Sequence, residues 1–98
     1  MDTFYRAPMT EDEIASRILR LAVLVEKDET SRAVLSTNER IAVALILDRK
    51  DWLIQMSWTI LGAIDRLGEE WFRATQRASM IRRERRPWLI HASGRNTD

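Results

Sequence analysis

The chain has 98 residues, enough for one domain with an unstapled core but only modest stability. With 45% apolar and 32% charged residues it is globular in composition, and the absence of cysteine excludes a disulfide scaffold, a thiol nucleophile and any Cys-ligated zinc or iron–sulfur centre. The net charge of +1 hides a split: residues 1–70 carry nine Lys/Arg against thirteen Asp/Glu, a balance of −4, whereas residues 71–98 carry seven Arg against Glu84 and Asp98, a balance of +5.

Residues 1–9 contain no apolar stretch of the secretory kind. The longest apolar run, Ile41 to Leu47, is seven residues, far below the roughly 20 that span a bilayer. The expectation is a cytoplasmic protein without a membrane partner. Residues 1–9 read as a flexible arm carrying Phe4 and Tyr5, residues 10–86 as a single helical domain, and residues 87–98 as a tail.

Thr10 and Glu13 have the spacing of a capping box, and Met9 and Ile14 that of a hydrophobic staple. With Glu11, Asp12 and Glu13 on the positive end, a first helix is predicted from about Glu11 to about Lys27. Ile14, Ile18, Leu21, Ala22 and Val25 form its core stripe. Leu19, Val23 and Leu24 fall off that stripe, so they are expected to meet a second surface, and self-association is predicted from them.

Residues 28–36 read as a loop. Ser36 and Glu39 form a second capping box, and the run Ile41–Leu47, apolar on every face, marks the most buried helix. Two continuations stay open: the helix runs on to about Gln55, or Asp51 caps a short separate one. Ser57 or Thr59 caps the next helix, with Ile60, Ala63, Ile64 and Leu67 facing inward. Gly68 ends it as a left-handed residue. A last helix follows, with Trp71, Ala74, Ala78 and Ile81 on its inner face. Its two alanines allow close approach of a neighbour. Arg82, Arg83, Arg85 and Arg86 then surround the helix until Pro87 stops it. The fold class is all-α: a compact bundle of four helices, or five if the second is broken.

No catalytic constellation is found. The lone histidine, His91, lies in the tail, and no nucleophile elbow, P-loop or dinucleotide fingerprint occurs. Asp48 and Asp51 alternate with Arg49 and Lys50, which reads as an ion-pair cluster and not as a metal site. Glu69 and Glu70 are explained by the helix dipole. The Leu67–Gly68 corner within residues 60–81 has the local shape of a helix-turn-helix. The second helix, however, opens on Glu69 and Glu70, where phosphate contacts would fall.

The informative feature is the arginine set. Arg73, Arg77, Arg82, Arg83, Arg85 and Arg86, with Trp88, are the predicted partner-binding residues. Guanidinium groups pair bidentately with carboxylates, and arginine with tryptophan is the composition of interface hot spots. The expected function is a non-enzymatic interaction or regulatory module whose partner is a protein with an acidic surface. The alternative is a nucleic-acid-binding regulator using the same basic segment. No cofactor and no metal are expected.

Overall fold

The structure, a computed structural model, describes residues 9–85. The expected arm (bar Met9) and tail, with Phe4, Tyr5, Arg86, Trp88 and His91, lie outside the described residues. Among those described, every regular element is helical: α1 (Glu11–Lys27), a 3-10 segment (Glu29–Val34), α2 (Thr37–Ile46), α3 (Lys50–Gln55) and α4 (Ile60–Arg85).

Local chemistry sets each start. The Thr10 hydroxyl accepts the Glu13 N–H at 3.1 Å while the Glu13 carboxylate accepts the Thr10 N–H at 2.8 Å. Ser36 and Glu39 repeat the arrangement at 3.2 and 2.9 Å. Thr59 caps α4, its hydroxyl accepting from the Gly62 N–H at 2.9 Å. The expected loop at 28–36 is more ordered than its composition suggested. The Asp28 carboxylate accepts from both the Thr30 amide and hydroxyl, which nucleates the 3-10 segment and holds the Asp28 carboxyl below its ordinary range.

The second helix is broken. Asp48 adopts φ 57°, ending α2, and Ser57 adopts φ 65° after α3. Aspartate tolerates this left-handed region better than most residues, so a chain reversal forms without glycine or proline. Arg49, not Asp51, stands at the N-cap of α3. At the other corner the two predicted helices run on as one element kinked at Gly68, where φ is 79° and ψ is 168°. The positive φ was expected. The ψ is not that of a left-handed helical cap but of a region essentially restricted to glycine.

The core is built from Ile14, Ile18 and Val25 of α1, Ile41 to Ala44 of α2, Trp52 and Leu53 of α3, and Ala63, Leu67, Ala74 and Ala78 of α4. Helix α4 packs against both α1 and α2, and the alanines along its inner face let the three helices approach closely. Three expectations need correction. Ile60 is exposed, because it opens α4 ahead of the packed turn. Leu45, Ile46 and Leu47 are only half-buried, because α2 ends at Ile46 and its last turn leaves the bundle centre. Trp71, expected on the inner face of its helix, is half-buried, as is Trp58, whereas Trp52 is enclosed.

Candidate interaction site at the basic helix end

Helical phase distributes the arginines of α4 over different faces. Positions 74, 78, 82 and 85 continue one face, towards α1. Positions 73, 77 and 84 share a second. Positions 72, 76, 79 and 83 form a third, towards α2.

Three of the predicted partner-binding arginines are engaged within the fold. Arg73 donates to Glu69 at 2.5 Å, one turn back, and Arg77 pairs with Asp12 of α1 at 2.7 Å. Arg82 donates two N–H groups to Glu26 of α1, at 2.7 and 3.4 Å, and its side chain is only 11% exposed. Arg82, predicted as a partner-binding residue, is thus occupied within the fold. It stands four residues after buried Ala78, still on the packed face, and its methylene stem covers apolar surface while its head meets Glu26. Arg83 and Arg85 are exposed and make no ion pair among the described residues. Arg86 and Trp88 lie outside those residues.

The predicted self-association residues also divide. Leu19 is half-buried against the core, whereas Val23 and Leu24 are 38% and 45% exposed. Leu19 and Val23, with Ser16 and Arg20, form one wall of a groove of about 410 Å³. Arg82 and Arg85 form the other. Two sets of residues that the sequence had singled out separately thus meet in one place. Arg20 was missed. Its signal was its position one turn after Ser16 and one before Val23 on the same helix face.

The described lining is cationic around a short apolar strip. Arg20 and Arg85 flank the apolar floor without ion pairs among the described residues, and Arg82 is balanced by Glu26. Among the described residues, no glutamate or aspartate lines the groove. Among the described lining residues, Ser16 has no histidine or carboxylate beside it. Among the described residues no group of three or more His, Asp or Glu is placed to hold a metal ion. No helix among them is long and apolar enough to cross a membrane.

A second charged cluster is structural in character. The Arg32 and Arg49 guanidinium groups lie over the Trp52 ring at 4.1 and 4.2 Å. Arg49 also pairs with Asp51 at 2.7 Å and Glu29 at 3.2 Å. The hydrogen bond from Arg49 holds the Asp51 carboxyl below its ordinary range. Asp51 thereby serves an arginine.

At the Gly68 corner, Glu69 and Glu70 are both exposed, and Arg73 is held by Glu69. A second helix used to approach phosphates would lead with these carboxylates. Comparison with known protein families, with curated proteins and with solved structures finds no match for this chain.

Proposed function

We propose that this protein is a non-enzymatic interaction module of the inhibitor, antiactivator or adaptor type. It engages an acidic protein surface through the groove between α1 and the end of α4, with the cytoplasm as its proposed location. The observation that carries this reading is the meeting of Leu19 and Val23 with Arg20 and Arg85. An apolar floor supplies area removed from water, and guanidinium groups at its edge select carboxylates by bidentate pairing.

The alternative, a nucleic-acid-binding regulator, draws on the same basic segment. It is weakened by the engagement of Arg73, Arg77 and Arg82 with carboxylates of this chain, which lowers the field that phosphates would meet. Self-association through exposed Val23 and Leu24 is part of the same proposal, since that apolar strip adjoins the groove.

The test is affinity capture from the native host, with and without nuclease, using wild type and the Arg20→Glu/Arg85→Glu variant as baits. A protein recovered after nuclease by wild type and lost with the variant supports the proposal. Recovery that vanishes on nuclease treatment transfers the role to nucleic acid. Capture identical for both baits rejects the groove. Sedimentation of wild type and Val23→Lys decides self-association separately.

A further inference from the structure

We propose that a second groove, on the α2 side of α4, binds a small amphiphilic anion: a carboxylate bearing an extended apolar tail. The site is independent of the α1 groove. Its floor is formed by Leu45 and Ile46 at the end of α2, with Ile64, Phe72 and Met80 of α4. None of these five is fully buried, and Met80 is 57% exposed, so the fold leaves apolar surface uncovered along a concave strip.

The polar lining follows a pattern. Thr75 donates its hydroxyl to the Trp71 carbonyl at 2.7 Å, so its hydrogen is already used. Gln76 and Ser79 are neutral. Among the described residues the sole ionic side chain in the lining is Arg83, at one end, exposed and with no ion pair there. From Phe72 to Arg83 is eleven residues of helix, about 16 Å at 1.5 Å per residue. The groove is thus a long apolar strip with one cation at its end, complementary to a tail with one anionic head.

Size selects between occupants. The groove holds about 330 Å³. That is near the lower bound for small-molecule sites, roughly 300–1,000 Å³. A helix from a partner protein, about 10 Å across, would need a wider bed. A peptide with several carboxylates would leave all but one of them without a cation.

The test is calorimetric titration of the full chain with dodecanoate below its micellar concentration, and with dodecyltrimethylammonium as the cationic counterpart. Expected is saturable binding of one dodecanoate per chain and no comparable binding of the cation. Arg83→Gln should weaken dodecanoate about tenfold or more through loss of a charge-assisted contact. Met80→Glu should abolish binding by placing a carboxylate in the floor. Arg85→Gln, on the other groove, should leave the affinity unchanged. All three positions are exposed, so these variants keep the fold, and far-UV spectra verify it. Absence of saturable binding overturns the proposal. So does equal binding of the cation, or equal weakening by Arg83→Gln and Arg85→Gln, which would indicate diffuse charge attraction.

Discussion

Replacing Glu39 tests whether one carboxylate joins the start of α2 to α1. Glu39 is only 9% exposed. One oxygen accepts the Ser36 N–H at 2.9 Å, completing the capping box, and the other accepts from Arg17 Nε, 22 residues away on α1, at 2.6 Å. In Glu39→Ala both contacts vanish. The cost stays below the roughly 3–5 kcal/mol of breaking a fully buried pair, because the Arg17 side chain is 44% exposed and its charge can return to water. Ser36 is an exposed residue, so water can likewise reach its amide once the carboxylate is gone. Loss of a charge-assisted hydrogen bond and part of a cap amounts to about 2 kcal/mol. For a domain of this size that lowers the melting midpoint by about 10 °C. Glu39→Gln keeps an oxygen for the Ser36 amide and should lose about half as much.

The pH dependence follows with a definite sign. Burial disfavours the charged form of Glu39, but the Ser36 amide and the Arg17 guanidinium outweigh it and hold the carboxyl below its ordinary value of 4.5. The folded state therefore releases the proton more readily than the unfolded chain. The stabilisation is fully present above about pH 4.5 and is lost as pH falls through the lower, folded-state value. Urea unfolding followed by far-UV dichroism should show a constant gap between wild type and Glu39→Gln near neutrality, closing in acid. A destabilisation under about 0.5 kcal/mol in Glu39→Ala at neutral pH would refute the reasoning, since that is the range of inconsequential surface changes. So would a gap that acid leaves intact.

Three further outcomes are expected. Gly68→Ala should cost about 1–3 kcal/mol from backbone conformation alone, because no atom lies within 4 Å of the added methyl; an unchanged urea midpoint would contradict this. Arg82→Gln should cost about 1–2 kcal/mol through its Glu26 pair, whereas Arg85→Gln should stay within about 0.5 kcal/mol; parallel thermal melts compare them, and equal effects would remove the distinction. Leu53→Ala, at a closed core site, should cost about 2–5 kcal/mol, and half-buried Leu45→Ala clearly less; the reverse order in urea titrations would misplace the core.

The sequence made the helix starts legible because capping is local. Thr10–Glu13 and Ser36–Glu39 each involve residues three apart, and their hydrogen bonds form where the spacing indicates. The break after α2 was not legible. It depends on Asp48 and Ser57 adopting positive φ, which aspartate tolerates but neither residue requires. The 3-10 segment was hidden for a related reason: Asp28, Thr30 and Ser31 are pattern breakers in composition, yet their side chains bond their own backbone into a turn. Leu19 and Val23 were legible as off-stripe residues. Arg20 was only faintly so: it shares a helix face with Ser16 and Val23 at one-turn spacing, but what that face meets is not visible until the neighbouring helix is placed.

The charge split between the two parts of the chain has a partly internal explanation. Asp12, Glu26 and Glu69, from the acidic part, are the partners of Arg77, Arg82 and Arg73, from the basic part. Two of these pairs cross from α1 to α4, so the fold brings the opposing fields together and cancels much of what the linear sequence displays. Arg83 and Arg85 are the described cations of the basic part left without an ion pair, two positions apart, and each lines a different groove; Arg66, earlier on α4, donates to Asn38 instead. On a helix, a separation of two residues turns side chains about 200° apart, nearly opposite. Among the described residues, Arg83 and Arg85 therefore face two different apolar strips, Arg83 as the one described cation of its groove and Arg85 beside Arg20 and the Glu26-paired Arg82. Phosphate backbones reward many cations on one face, whereas carboxylates beside apolar groups reward one well-placed guanidinium each. That geometry is why the protein reading is preferred over nucleic acid.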